Sequence, residues 1–219
     1  MEKRLLTRIE NYIFDLDGTL INTADFILKS LKMALDEMEL SVDCSKMHKG
    51  IIGPPLDVMI KNLGYGFDDA TIGKIVQKVR SIQLTLPASD YPNFMGILPT
   101  LELLKSKGKK LFVATNRSVH STISILKENG LYNLFDDVYI PDKYADKRLS
   151  KSQMIQEVTK EHGLEKSATI MVGDTEEDQK GAENAGCGFI GVSWGYAADK
   201  HKFEQVSDLY VTNIEQIIF

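Results

Sequence analysis

Two aspartates, Asp15 and Asp17, stand two residues apart at the end of the short apolar run Tyr12-Ile13-Phe14, and Gly18 and Thr19 follow them. Residues two apart on an extended chain project the same way, so both carboxylates can face one small volume beyond a strand end. Like charges that close repel and raise a pKa unless a cation sits between them. The pair therefore suits a divalent metal with a nucleophile and an acid/base beside it. A strand closed by a tight Asp-Gly turn would use the same residues, and three further segments decide between the two readings. Thr115 and Asn116 end the apolar run Lys110–Ala114 and open a helical pattern, where free N–H groups favour anions. A lysine lies near the start of the helical pattern at 151. Asp174, with Asp178 four residues on, follows Met171-Val172-Gly173.

These four segments, in this order, resemble the haloacid dehalogenase (HAD) superfamily of phosphotransferases, and the match runs over essentially the whole chain. Asp15 and Asp17 stand at that family's first motif, Thr115 at its second, and Asp174 with Asp178 at its fourth. The third motif is a single lysine. Lys151 opens a helix, as the family's lysine often does, and Lys147 is the alternative; the commoner lysine-proline pair is absent. The segment between the first two motifs is similar to the helical cap of the phosphoglycolate phosphatase and β-phosphoglucomutase branch. Gly53-Pro54-Pro55-Leu56 looks like that branch's cap loop, and Tyr91 to Gly96 like its return hinge.

The resemblance implies that Asp15 attacks phosphorus and forms an aspartyl phosphate, as a carboxylate nucleophile can. Mg²⁺ is the implied cofactor, with Asp15, Asp174 and the Asp17 backbone carbonyl supplying oxygens. Asp17 would protonate the leaving oxygen and then activate water. Gly18, Thr115, the Asn116 N–H and Lys151 would hold the transferring phosphoryl oxygens. Asp178 would orient a metal water or Lys151 rather than ligate. As a residue of its own, Asp178 also suits a first helical turn, and Thr115 suits a cap.

The elements that must position these residues alternate along the chain. Strand-like runs are Tyr12–Phe14, Lys110–Ala114, Asp137–Ile140, Thr169–Val172, Gly188–Val192 and Leu209–Thr212, most of them followed by a helical pattern. Helices are expected over Leu98–Lys107, Ser118–Asn129, Lys151–His162 and Asp178–Ala185. Ser150 and Gln153 make a capping box for the third of these. Residues 21–91 have a different rhythm, with no convincing strand and helical spacing over Thr23–Met38, Pro55–Leu63 and Asp68–Leu86, the last closed by Pro87. The expected fold is a doubly wound, mostly parallel α/β sheet with a Rossmann-like core over 1–20 and 92–219 and an inserted helical cap over 21–91.

The bulk numbers narrow the class. A chain of 219 residues with 43% hydrophobic and 26% charged residues has ordinary globular composition. Its net charge of −5 argues against a nucleic-acid footprint. Met1 to Glu10 reads as neither signal peptide nor anchor, and no apolar run is long enough to span a membrane. Cys44 and Cys187 lack metal spacing and read as reduced thiols in a cytoplasmic protein.

The expected partner is a small phosphorylated metabolite. By analogy, Asp17 disfavours C–Cl and C–P cleavage, because dehalogenases carry an aromatic residue there and phosphonate hydrolases an alanine. A phosphatase is the first reading, with a sugar-phosphate mutase or pyrophosphatase of the same branch as alternatives. A receiver-like phosphoryl acceptor and a non-catalytic binding protein are further ones. Lys46, His48 and Lys49 are candidates for meeting an anionic leaving group, with a solvated basic face as the first reading; Arg117 and His120 are candidates for lining the entrance, with surface exposure as the first reading. Trp194-Gly195-Tyr196 reads as a core-edge loop, with flanking of the site as the lesser reading. Asn22 stands where many relatives carry an aspartate.

Overall fold

The computed structural model describes residues 9–86, 90–197 and 199–218. Six strands form one sheet: β1 (Asn11–Phe14), β2 (Lys110–Ala114), β3 (Asp137–Tyr139), β4 (Thr169–Gly173), β5 (Gly188–Val192) and β6 (Leu209–Val211). Their order is β3-β2-β1-β4-β5-β6, and every neighbouring pair is parallel. The chain moves outward from β1 in one direction through β3, then crosses to the other side at β4. Such a reversal leaves a crevice beyond the carboxyl ends of the two strands that flank it. Those strands are β1 and β4, which lead directly into Asp15 and Asp174.

The alternation of side chains fixes the two faces. Ile13, Phe112, Met171 and Phe189 pack on one side with Met154, Ile155 and Val158 of α6 (Lys151–Glu161) and Ala182 of α7 (Glu176–Ala185). Tyr12, Phe14, Val113 and Val172 pack on the other with Leu101 and Leu104 of α4 (Ile97–Ser106) and Ile125 and Leu126 of α5 (Val119–Glu128). The β-strands are therefore covered on both sides, as a parallel sheet requires.

The helical segment after β1 contains α1 (Ala24–Glu37), α2 (Leu56–Asn62) and α3 (Asp69–Gln83). Phe26, Ile27, Leu31, Ala34 and Leu35 of α1 are buried, as are Ile72, Ile75, Val76, Val79 and Ile82 of α3. The two helices pack on each other along these stripes. The Asp68 side chain caps α3 by accepting from the Thr71 N–H at 2.7 Å. Pro87, the expected stop, lies outside the described residues. The chain leaves and re-enters the sheet region at adjacent points. The Asn22 N–H donates to the Pro92 carbonyl at 2.9 Å, and the Phe94 N–H to the Leu20 carbonyl at 3.0 Å.

Two local features differ from the sequence expectation. Helix α7 begins at Glu176, before Asp178, because Thr175 and Asp178 form a reciprocal capping box. A further helix, α8 (Lys200–Val206), follows Asp199, whose side chain accepts from the Lys202 N–H at 3.0 Å. It was not legible because it buries only Phe203 and so carries no periodic stripe. The Ser150–Gln153 capping box of α6 is present.

Candidate active site

Each member of the site follows a strand or opens a helix. Asp15 directly follows β1, and its N–H donates to the Val172 carbonyl of β4 at 2.9 Å. Asp174 directly follows β4, so adjacent strands in register place the two carboxylates together. Lys151 is the first residue of α6 and is only 3% exposed. Its Nζ donates to Asp15 Oδ1 at 2.7 Å and to the Ala114 carbonyl at 2.8 Å. The same Nζ lies 2.9 Å from Asp178 Oδ1 in a charge contact outside hydrogen-bond geometry. Lys147 instead pairs with Glu157 at 2.7 Å on the surface, so the lysine that reaches Asp15 is Lys151.

One oxygen from each of Asp15, Asp174 and Asp178 lies within 4.8 Å of the others, and all three residues are buried. Burial, opposed by the Lys151 charge and aided by Asp178, pushes Asp15 up to about 7. Asp174 is raised well above the usual carboxylate range by burial and by the charges of Asp178 and Asp15. Burial alone would lower the Lys151 pKa, yet Asp15 and Asp178 drive it upward. One cation among three buried carboxylates leaves negative charge in excess, and Asp178 Oδ1 has no hydrogen-bond partner. An all-oxygen donor set with surplus negative charge fits a hard divalent cation. The family reading placed Asp178 outside the ligand set; its carboxylate stands in the same cluster while its Oδ2 accepts from the Thr175 N–H and hydroxyl at 3.1 and 2.7 Å.

Asp174 is held on several sides. Its Oδ1 accepts from the Thr19 hydroxyl at 3.2 Å and its Oδ2 from the Tyr196 N–H at 2.7 Å. Gly18, at φ +84°, and Gly195 crowd the same carboxylate. A Cβ at Gly18 would stand 2.2 Å from Asp174 Oδ2, and one at Gly195 would stand 2.1 Å from Asp174 Cβ. Only glycine permits that approach. Trp194 Nε1 donates to the Thr19 carbonyl at 3.1 Å, and the Tyr196 hydroxyl meets Asn22 Oδ1 at 3.3 Å. The Trp194-Gly195-Tyr196 loop thus flanks the site, where the sequence favoured a core edge.

Asp17 stands apart from the carboxylate cluster. Arg117 Nε donates to both of its oxygens, at 3.0 and 2.9 Å, and Arg117 Nη1 donates to Ser121 Oγ at 2.6 Å. The Arg117 side chain is 8% exposed and lies over the Phe26 ring of α1. Surface exposure, the first reading of Arg117 from the sequence, does not hold. Thr115 is buried, and its Oγ1 accepts from the Arg117 N–H at 3.3 Å. The Asn116 side chain donates to the Gly53 carbonyl at 3.2 Å and to Glu177 Oε2 at 3.1 Å, joining the core to the loop before α2. Asp15, Asp17, Thr115 and Asn116 line a cleft of about 80 Å³ whose other wall includes Gly53, Pro54 and Met59.

Lys46, His48 and Lys49 lie outside this cleft. Lys46 donates to the Leu63 carbonyl at 3.3 Å, His48 accepts from the Gly50 N–H at 3.2 Å, and Lys49 meets Asp25 at 3.5 Å. They organise the insertion locally.

Residues 12–192 match the family model for haloacid dehalogenase-like hydrolases. The chain belongs to the haloacid dehalogenase-like hydrolase family. It is 30% identical over 213 residues to a Clostridium perfringens protein named for pyrophosphatase PpaX, covering 96% of each chain. It is 29% identical over 189 residues to the phosphoglycolate phosphatase of Agrobacterium fabrum, covering 84% of this chain and 80% of the relative. Among solved structures, a haloacid dehalogenase-like family hydrolase of Streptococcus pneumoniae superposes with a TM-score of 0.83 over 96% of this chain and 97% of its own, at 24% identity. That neighbour shares the HAD fold: a parallel sheet with helices on both faces. Among the described residues, no helix is long and apolar enough to cross a membrane.

Proposed function

We propose that this HAD hydrolase is a Mg²⁺-dependent phosphatase that cleaves small phosphomonoesters through an aspartyl phosphate on Asp15. The observation that carries the reading is the placement of Asp15. Lys151 occupies its Oδ1, while Oδ2 takes no hydrogen bond among the described residues and Asp15 lines the cleft. The carboxylate is thus oriented by one oxygen and free to attack with the other. Asp15, Asp174 and the Asp17 backbone carbonyl would hold Mg²⁺, with Asp178 beside them. When bound, the ion offsets the repulsion between these carboxylates and an incoming phosphate.

The chain's own residues supply the rest. Lys151 keeps a positive charge at the phosphoryl oxygens, and the Thr115 hydroxyl and Asn116 N–H, in the turn between β2 and α5, donate to them. Asp17 hands a proton to the leaving oxygen and then takes one from the attacking water. Arg117 now occupies both Asp17 oxygens, so it must withdraw before that transfer. Residues 21–91 serve as a cap over the 1–20 and 92–219 core, and closure of the cap excludes water from the reacting phosphate. The free Cys44 and Cys187 support a reducing, cytoplasmic setting.

The first test is hydrolysis of p-nitrophenyl phosphate with Mg²⁺, beside an EDTA control and Asp15→Asn. Activity lost in both controls is expected. Activity that survives Asp15→Asn would remove Asp15 as nucleophile. A pyrophosphatase is the second reading, supported by the relative named for PpaX; release of phosphate from pyrophosphate, measured in the same assay, separates the two.

A further inference from the structure

Helix α1 opens without a cap from its own neighbourhood. The first N–H groups of a helix have no partner inside it, and Thr23, at the N-cap, makes no side-chain cap bond. The cap comes from 172 residues away: the Ala24 N–H donates to the Tyr196 hydroxyl at 2.9 Å. That hydroxyl in turn donates to Asn22 Oδ1 at 3.3 Å. Asn93 Oδ1, on the returning segment of the same junction, is buried and takes no hydrogen bond among the described residues. The junction thus leaves a polar group of its own unmet and draws a tie from outside.

The other end of Tyr196 meets the acidic cluster. Its N–H donates to Asp174 Oδ2 at 2.7 Å, and Thr19, on the way into the insertion, donates its hydroxyl to Asp174 Oδ1 at 3.2 Å. Trp194 completes the circuit. Its indole N–H donates to the Thr19 carbonyl at 3.1 Å, and its ring lies 6.2 Å from that of Phe94 on the returning segment. Between them, the Gly195 backbone lies so close to Asp174 that a Cβ would stand 2.1 Å from Asp174 Cβ. Packing this close passes a displacement on rather than absorbing it.

We propose that Tyr196 is a positioning residue that couples Asp174 to the start of α1, so that a divalent ion bound at Asp174 tightens the hold on the insertion's first helix. The ion-dependent half rests on the metal reading above; the coupling of Asp174 to α1 does not. An ion that fixes the Asp174 carboxylate also fixes the two groups donating to it, the Tyr196 N–H and the Thr19 hydroxyl. Tyr196 carries that restraint through its rigid ring to the Ala24 N–H. By linkage, the factor by which the ion steadies the helix is the factor by which the steadied helix favours the ion. Tyr196 acts through Asp174 and touches no reacting atom.

The test uses Tyr196→Phe, which keeps the ring and removes only the hydroxyl. Tyr12→Phe is the control, because the Tyr12 hydroxyl bonds the Ile217 carbonyl at 3.1 Å and takes no part in the junction. Trp194 is the chain's one tryptophan, so its emission follows a Mg²⁺ titration from within the loop itself. Mg²⁺ is expected to slow amide hydrogen exchange over residues 22–27 about fivefold in wild type and Tyr12→Phe, and to leave it unchanged in Tyr196→Phe. The Mg²⁺ dissociation constant should rise about fivefold in Tyr196→Phe alone. Mg²⁺ binding without slowing in wild type, equal slowing in all three proteins, or an equal rise in both variants would overturn the coupling. Failure of the metal reading has its own signature: wild type then answers Mg²⁺ in neither emission nor exchange. Asp174→Ala in EDTA, or Asp174→Asn should the alanine variant not fold, decides the coupling in that case. Exchange over residues 22–27 should quicken about fivefold in the wild-type background and not in Tyr196→Phe. Equal quickening in both backgrounds refutes it.

Discussion

Replacing Gly195 by alanine should damage the protein more than any ordinary glycine substitution in a loop. A Cβ there would lie 2.1 Å from Asp174 Cβ and 2.4 Å from Asp174 Oδ2, against the roughly 3.5–4.0 Å at which carbon atoms rest. Asp174 is fully buried and Asp174 Cβ is not the free end of a flexible chain, so the loop or the end of β4 must shift. Overpacking of this kind costs about 1–3 kcal/mol. The shift also breaks the 2.7 Å hydrogen bond from the Tyr196 N–H to Asp174. A bond to a charged group is worth about 1.5–3 kcal/mol. The combined loss is about 2.5–6 kcal/mol, which at 2–4 °C per kcal/mol for a chain of this size lowers Tm by roughly 5–24 °C. Displacing a carboxylate of the acidic cluster should also weaken Mg²⁺ by about 10–100-fold. Thermal unfolding of Gly195→Ala in EDTA and across a Mg²⁺ titration measures both. Gly188→Ala is the control, because its Cβ would meet Ile170 Cδ1 at an ordinary 3.4 Å. A Gly195→Ala protein that melts with wild type and shows the same Mg²⁺ midpoint would refute the steric argument.

Lys151→Met leaves Asp15 and Asp178 buried without their cation, and breaking such a pair costs about 3–5 kcal/mol. Urea unfolding in EDTA at pH 7 reads it. Because Asp15 in the folded chain sits at about 7 and near 4 when unfolded, the folded state holds the extra proton between those values. Metal-free stability should therefore rise as pH falls from 7 towards 4, more steeply in Lys151→Met; a flat profile would contradict the burial of Asp15. Arg117→Ala removes the partner of Asp17 and the bond to Ser121, and should cost about 1–3 kcal/mol by the same unfolding measurement. Burial pushes the Cys187 thiol up to about 11. At pH 8 iodoacetamide followed by mass spectrometry should label exposed Cys44 far ahead of Cys187, by about a hundredfold.

Much of this architecture was legible because the relevant signals are local. The six strands are short apolar runs bounded by turns, and the sheet core needs only their alternation. Asp15, Thr115, Lys151 and Asp174 each sit at the junction of a strand or a helix start, so motif and topology point to the same place. What escaped the sequence depends on long-range contact. Arg117 is an ordinary helix-entry residue until the fold brings it 2.9 Å from Asp17, a hundred residues away. Gly195 has no neighbour in sequence that explains it; Asp174 does. Lys151 is favoured over Lys147 in the sequence because it opens a helix, and the first turn of α6 aims it inward to Asp15 while Lys147 pairs with Glu157.

The hydrogen-bonded crossing of Leu20–Asn22 with Pro92–Phe94 bears on inheritance. An insertion whose two ends are already fastened side by side imposes one fixed gap on the host sheet, whatever lies between. Doubling the length of such a loop adds only about 0.6 kcal/mol of closure entropy. Recombination can therefore exchange the helices between these two points without altering strand register or the spacing of Asp15 and Asp174. On the proposed reading of residues 21–91 as a cap, the reacting centre and the surface that selects its substrate can descend separately, which makes this junction the natural seam for grafting a new specificity onto an old reaction.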